Sequence, residues 1–575
     1  MGPRLSEHTL EMPDGATLLY RAWMPPRGAE KALVLFHRGH EHSGRWQETV
    51  ESLALDDVAV FAWDARGHGG SSGERGSAPD LATVVKDADI FIHHLSETYG
   101  ISLEDMIVLG HSVGAVIAAA WVHDYAPPVR GMILATPAFR VRLYVPFAVP
   151  LLRLRQRLFG PGYVKSYVKA SMLTHDSEQA QLYKSDHLIF RQIAVNVLLD
   201  LHDASKRLLA DTAAIKVPAM VLAASSDWVV KQSAQKEFFD NLSSPGKSME
   251  VLPGFHHAIF HEKNRARVVD KVRAFLVERF REPVVKTSLV DADKCGYTKA
   301  EYERLRGRGS WVYAIPRLVL KTVGRLSNGI RLGWRTGFDS GMTLDYVYGN
   351  KPQGFTLLGR LIDRAFLQSI GWKGIRQRKA HLAKALRSVI ETVHDSGRPV
   401  RLLDIASGPG RYLLETMDRL KHIPMTALLR DYKQENLKAA RSLVNELGLD
   451  NVTVDQGDAF DQASLVDLAP RPSIAIVSGL YELFHENNMV LRSLRSLAET
   501  VEPGGYLLYT NQPWHPQLEF IARVLRNREG KPWVMRRRTQ AEMDELVCMA
   551  GFEKVSQDID PWGLFTVSVA QRISA

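Results

Sequence analysis

Cysteine is almost missing from this chain: two residues, Cys295 and Cys548, in 575. Two thiols cannot build a disulfide framework or a cysteine-rich metal site, so a reducing compartment is expected. No apolar run approaches the roughly 20 residues that span a bilayer. The opening residues carry no apolar core of a secretory leader. Between 286 and 399, low-complexity runs and repeats are also lacking. What remains is 45% hydrophobic and 24% charged, with 42 Gly and 27 Pro. Those globular values exclude a disordered, collagen-like or coiled-coil chain. A soluble cytoplasmic protein of several domains is expected.

Acidic residues are scarce in two places. Residues 299–400 hold 19 Lys/Arg against 7 Asp/Glu, a net +12 within a chain of formal charge +9. Residues 139–170 carry seven Lys/Arg and no acid. One-signed clusters call for an anionic partner: nucleic acid, anionic lipid or an acidic substrate. In both islands the cations alternate with bulky apolar groups, as in Leu151-Leu-Arg-Leu-Arg-Gln-Arg-Leu-Phe159 and Trp311-Val-Tyr-Ala-Ile-Pro-Arg-Leu-Val-Leu-Lys321. Apolar groups that enter a headgroup layer beside cations that meet anionic lipid make such a pattern interfacial. Nucleic acid is less favoured, because Leu and Val offer bases no stacking platform. Peripheral contact with the inner face of a membrane is therefore expected over nucleic acid, with plain domain packing or a merely solvated basic surface as the alternatives.

In the first 285 residues, continuous apolar runs alternate with helical patterns such as Asp80–Tyr99 and Gly114–Asp124. The runs include Leu33–Phe36, Val58–Trp63, Met106–Gly110, Met132–Ala135 and Met220–Ala224. Such runs predict strands buried on both faces of a parallel sheet. One of them ends in Gly110-His-Ser-Val-Gly114, followed by an alanine-rich helix. Glycines there permit the sharp strand-to-helix bend that exposes a serine hydroxyl at a helix N-terminus. Serine needs a histidine to take its proton and a carboxylate to orient that histidine. Ser112, Asp227 and the pair His256/His257 occur in the required chain order.

This region resembles the α/β-hydrolase family in its monoacylglycerol lipase and lysophospholipase branch. The resemblance rests on Phe36–Trp46, Asp64–Gly73, Gly110–Gly114, Ser226–Val230 and Pro253–Phe260. It implies Ser112 as nucleophile, Asp227 as acid and His257 rather than His256 as base. It also implies an oxyanion hole from the backbone of Gly39 and Val113, and a cap over about 138–212. The substrate it implies is a lipid-like carboxylic ester. Where the family has H-G-x-G, this chain has His37-Arg-Gly-His40, so Arg38 stands as a candidate contact for an anionic headgroup. Its alternative is a structural ion pair.

From residue 400 a second pattern begins. Val400-Arg-Leu-Leu-Asp-Ile-Ala-Ser-Gly-Pro-Gly410 is an apolar strand that runs into a Gly-rich turn. A dinucleotide fingerprint would want Gly or Ala where Leu413 stands. The form D-x-x-x-G-x-G resembles instead motif I of class I S-adenosylmethionine-dependent methyltransferases, a Rossmann-like fold. Later strands end in Asp431, in Asp458 and at Ser478, and Val501–Thr510 resembles the family's fifth strand. The resemblance implies S-adenosyl-L-methionine as cofactor, held by Asp404, Ala406, Gly408, Gly410, Asp431, Asp458, Ala459 and Ser478. Asp431 would grip the ribose and Asp458 the adenine amino group. Glu482, His485 and His515 are candidates for a base near the acceptor. Asn511-Gln-Pro-Trp514 looks like an amino-methylation turn, but it follows the fifth strand rather than the fourth.

Residues 286–399 hold no assignable motif beyond a helix predicted at His381–His394, and are expected to form a basic helical connection or a methyltransferase extension. The order of parts, 1–285, 286–399 and 400–575, resembles a bacterial family of fused hydrolase/methyltransferases. A bifunctional enzyme with no metal is expected, its methyl acceptor unknown. Two alternatives stand beside it: one domain serving as a regulatory scaffold, or an RNA-associated methyltransferase that uses the basic middle.

Overall fold

The computed structural model describes residues 3–284, 287–307 and 309–573. It divides into two units, Met1–Lys286 and Thr287–Ala575. The boundary expected at 285/286 lies outside the described residues.

The first unit carries the strands β1 (Arg4–Glu11), β2 (Thr17–Met24), β3 (Lys31–Phe36), β4 (Val58–Trp63), β5 (Met106–His111) and β6 (Gly131–Ala135). A short hairpin, β7 (Tyr163–Lys165) and β8 (Gln192–Ala194), belongs to the cap segment. The main sheet is completed by β9 (Ala219–Ala224) and β10 (Lys247–Leu252), in the order β1-β2-β4-β3-β5-β6-β9-β10. From β4 to β10 all neighbours are parallel; β1 and β2 form an antiparallel margin. Strands β4, β5, β6 and β9 are buried at every position. That is why they read as unbroken apolar runs, since a sheet covered by helices on both faces has no polar side. Helix Leu81–Tyr99 starts at Asp80, whose carboxylate accepts from the Thr83 N–H at 2.7 Å, and stops at left-handed Gly100. The fold is that of an α/β-hydrolase.

In the second unit the strands are β11 (Val400–Asp404), β12 (Met425–Asp431), β13 (Val452–Gln456), β14 (Ile474–Val477), β15 (Tyr506–Asn511), β16 (Phe552–Ile559) and β17 (Thr566–Arg572). Their order is β13-β12-β11-β14-β15-β17-β16, with β17 antiparallel to both its neighbours and the other pairs parallel. The order reverses at β11/β14, the switch point where open α/β sheets bind ligands. This is a Rossmann-like methyltransferase sheet.

Residues 287–399 fold within the same unit as a helical layer. Its helices are Tyr297–Arg306, Ala314–Lys321, Asn328–Thr336, Gly341–Gly349, Leu357–Leu367 and Ile370–Asp395. The last is much longer than the helix predicted at 381–394. Its second half packs Leu382, Leu386, Val389, Ile390 and Val393 into the sheet core at helical spacing. Its first half sends Trp372 and Ile375 into a separate aromatic cluster with Phe338 and Phe565. Asp363, fully buried, ties the layer together by accepting from Ser327 Oγ, Tyr346 Oη and the backbone N–H groups of Gly329 and Gln353.

Candidate active sites

Ser112 follows directly on β5 and precedes helix Val113–Tyr125, with φ of 57°. A non-glycine residue in that region is strained, and the surroundings hold it there. A Cβ on Gly110 would lie 2.4 Å from the Gly114 carbonyl oxygen, and one on Gly114 would lie 2.4 Å from that of Phe36. Both glycines of the pentapeptide are therefore fixed by close backbone approach. The bend lifts the serine towards His257, whose Nε2 is 2.8 Å from Ser112 Oγ. The other ring nitrogen, Nδ1, is 2.8 Å from Asp227 Oδ2. Asp227 Oδ1 accepts from the N–H groups of Val229 and Val230 at 2.7 and 2.9 Å. Burial alone would raise the Asp227 pKa. The His257 ring and these two N–H groups outweigh it, and the carboxyl titrates below its ordinary range. Hydroxyl, imidazole and carboxylate thus form one connected chain.

Gly39 stands against Val113: a Cβ added to it would touch Val113 Cγ2 at 3.1 Å. Val113 is the first residue of its helix, where N–H groups lack intrahelical acceptors and the dipole favours negative charge. His37 fixes the approach loop, its Nδ1–H donating to the Arg38 carbonyl at 2.7 Å while Nε2 accepts from Ala65 N–H at 2.9 Å. Burial holds this ring below the usual histidine pKa and hence neutral.

Of the two roles expected for Arg38, headgroup contact or structural ion pair, the structure shows the ion pair. The side chain is only 4% exposed, and its Nε and Nη2 fork onto Glu41. The fork that a headgroup oxygen would need is taken by an internal carboxylate. The pair His256/His257 is also resolved geometrically, since His256 lies against His175 with ring centres 3.7 Å apart. Two further residues escaped the sequence reading. His111 Nε2 and Thr136 Oγ1 both donate to the His257 carbonyl, each at 3.0 Å. They seat the histidine from behind; partners 121 and 146 positions away in the chain leave no local signal.

In the second unit, the turn after β11 holds Gly408 and Gly410 at φ of 58° and 68°. A Cβ on Gly410 would strike Leu429 at 2.3 Å. Asp431, at the end of β12, accepts from the Gly408 N–H at 2.9 Å and from Lys433 N–H and Asn436 Nδ2 at 2.8 and 3.0 Å. A cleft beside the turn is lined by Ala406, Gly408, Gly410, Asp431 and Ser478, and by Gly341 of the helical layer. Three of the named residues lie elsewhere. Asp404 is wholly buried beneath the turn, where its carboxyl meets Tyr412 Oη and the Ala406 N–H. Burial, above all, pushes its pKa up to about 7. Asp458 is exposed after β13 and accepts from Phe460 N–H at 3.0 Å, and Ala459 is buried in the core behind it. His485 is a surface residue stacked on Tyr302, whereas Glu482 and His515 face an inner cavity of this unit.

Residues 272–572 match the model of a family described as "Putative methyltransferase", and residues 27–264 match one described as "Serine aminopeptidase, S33". The chain is 47% identical to "Uncharacterized protein YnbC" of Escherichia coli (strain K12), over 98% of both chains. It is 27% identical to a monoacylglycerol lipase of Mycolicibacterium smegmatis, over 47% of this chain and 97% of that protein. It is 28% identical to human monoglyceride lipase, over 43% and 82%.

Proposed function

Because the chain belongs to the family described as "Putative methyltransferase", here preceded by an S33-type hydrolase domain, we propose that it is a bifunctional enzyme. Its first unit would cleave a lipid-like carboxylic ester, and its second would transfer a methyl group from S-adenosyl-L-methionine.

The observation that carries the first half is the chain of contacts from Ser112 through His257 to Asp227, both links at 2.8 Å. His257 takes the Ser112 proton as Oγ attacks the ester carbonyl. The charge that develops on the carbonyl oxygen is met by the N–H groups of Gly39 and Val113 at the helix terminus. Asp227 holds the ring in the tautomer that accepts at Nε2 and stabilises the imidazolium. The alcohol leaves with the histidine proton, and water activated by the same ring releases the acid. A lipid-like ester is supported by the two lipases just named and by the cap segment, whose Phe147, Leu151, Leu154, Leu158 and Phe159 are exposed. A fluorophosphonate probe tests it. It should label the intact chain and not Ser112→Ala, with ester turnover falling about 10⁴-fold or more in that variant. Undiminished labelling of the variant would refute the assignment.

The residues of the second cleft fit a cofactor with an amino-acid end and a nucleoside. Two left-handed glycines let the backbone come close, and Asp431 offers a carboxylate at the ribose position. Bound there, the cofactor supplies an electrophilic methyl group on a sulfonium. Gly341 lies over the turn, where a Cβ would meet Asn436 Oδ1 at 2.6 Å. The cleft beside the turn encloses about 80 Å³. Calorimetry with S-adenosyl-L-methionine should show binding that Asp431→Ala abolishes.

No helix among the described residues is long and apolar enough to cross a membrane. Peripheral attachment to an anionic lipid surface is supported by the apolar faces of the cap segment and of helices Ala314–Lys321 and Leu357–Leu367.

A further inference from the structure

The helical layer and the sheet of the second unit enclose a cavity of about 340 Å³, within the size of small-molecule sites, about 300–1,000 Å³. Its walls are aromatic and aliphatic, with Phe338, Phe366, Trp372, Trp533 and Phe565 among them. Asp339, Leu344, Arg378, Gly479 and Leu483 line both this cavity and the cleft beside the glycine turn. The two spaces therefore share a wall.

Besides Asp339 and Arg378, the polar side chains that interrupt the apolar lining include Glu482, Gln512 and His515. Glu482 is 9% exposed; its Oε1 accepts from Arg378 Nη1 at 3.2 Å, while Oε2 has no partner. Gln512 is 2% exposed, and its Nε2 has none either. His515 Nδ1 accepts the Gln517 N–H at 3.0 Å, which places the ring proton on Nε2. Burial brings that ring down to about 4, so it stays neutral. A buried polar atom left unpaired costs about 1–3 kcal/mol, so these atoms describe the complement of a ligand. It offers a proton to Glu482 and lone pairs to Gln512 and His515.

We propose that this cavity is the methyl-acceptor site and takes an aromatic, largely apolar compound bearing a hydroxyl group, with Glu482 Oε2 receiving the hydroxyl proton. The inference rests on the methyltransferase reading of the same unit. As the O–H proton passes to Glu482, the oxygen forms its bond to the methyl carbon. The carbon–sulfur bond of the sulfonium breaks with its electron pair on sulfur. A methyl ether, a thioether and one proton, released later from Glu482, balance the reaction. A carboxylate acceptor would set a second anion against Oε2, while Arg378 on the same wall already donates to Oε1. A cationic amine would give Gln512 and His515 no lone pair to meet.

Titration calorimetry on the full chain tests this with 4-phenylphenol and biphenyl-4-carboxylate, beside a separate titration with S-adenosyl-L-methionine. The phenol should bind about tenfold more tightly than the carboxylate, and Glu482→Gln should erase or invert that preference. Ile375→Trp, which fills the cavity, should abolish phenol binding. If that variant does not fold, the isosteric Glu482→Gln decides alone. Carboxylate preferred by the wild type, a preference untouched by Glu482→Gln, or no binding of either compound overturns the proposal. Loss of the S-adenosyl-L-methionine signal alone would refute the methyltransferase reading and leave the acceptor measurements to be read by themselves.

Discussion

Arg38 and Glu41 form a buried pair, each under 5% exposed, inside the loop that carries Gly39. Arg45 also approaches Glu41, at 3.8 Å. Removing one partner of such a pair leaves an uncompensated charge, at about 3–5 kcal/mol. Arg38→Ala should therefore lower the melting temperature of the hydrolase unit, and should leave the ratio of kcat/KM on phosphate-bearing and neutral esters unchanged. Asp404 makes the opposite kind of residue. Its carboxyl titrates near 7 in the fold against 3.8 as the ordinary value. Between those two values the folded state holds a proton that the unfolded state has lost, so stability falls as pH rises from about 4 to 7 and is level above. Asp404→Asn mimics the protonated acid. Its melting temperature should match the wild type near pH 4 and exceed it at pH 8, which a pair of calorimetric scans would check. Ser112, Asp227 and His257 were legible because each sits in its own short block with a local reason for its residue types. For Arg38 a headgroup contact and an ion pair both stayed open, because the carboxylate that claims it is three positions away in a turn whose geometry no pattern reports. Gln512 was passed over because its neighbours Asn511 and Pro513 suggest a motif that belongs after a different strand.

Among the elements, legibility followed burial. Strands β4, β5, β6 and β9 face helices on both sides, and their continuous apolar runs identified them to within a residue. The margin strand β1 is mostly exposed and has no buried residue, with the sequence Arg-Leu-Ser-Glu-His-Thr-Leu-Glu, and gives no such run. β10 is likewise a sheet edge with one fully buried residue, Leu252. The antiparallel β16 and β17 follow the last motif and carried no signal of their own. In the helical layer the pattern predicted only the half of Ile370–Asp395 that meets the sheet. The other half buries its face in an aromatic cluster assembled from segments as far apart as Ile330 and Phe565, which no window of sequence contains. Asp363 shows what holds that layer together. Asp363→Ala would strand four donors, each worth about 1–3 kcal/mol if unsatisfied. Hydrogen exchange in 327–353 should then rise well above wild type, while the sheet β11–β15 stays protected. Equal protection of 327–353 in both proteins would show that the buried carboxylate contributes little.

For the whole molecule, the charge and the exposed apolar side chains pose one question in two places. In the first unit, Phe147 is 80% and Phe159 78% exposed, beside Arg153 and Arg157. In the second, Trp311 is 77% and Leu357 79% exposed, beside Lys321, Arg325, Arg360 and Arg364. A solvated basic surface needs no such residues, whereas a headgroup layer accepts both kinds. Each Lys or Arg near an anionic leaflet contributes about 1 kcal/mol, and a buried Leu or Phe about 1.5–3 kcal/mol. Vesicles containing phosphatidylglycerol should thus float the protein at low salt. Salt should weaken the attachment by screening the cations. Leu318→Glu with Leu361→Glu, or Leu154→Glu with Leu158→Glu, should weaken it about tenfold or more even at low salt. A purely electrostatic interaction, such as one with nucleic acid, would lose its strength to salt but ignore the leucine substitutions. Flotation that survives both double variants yet disappears in salt would therefore move the basic residues from a lipid surface to some other polyanion.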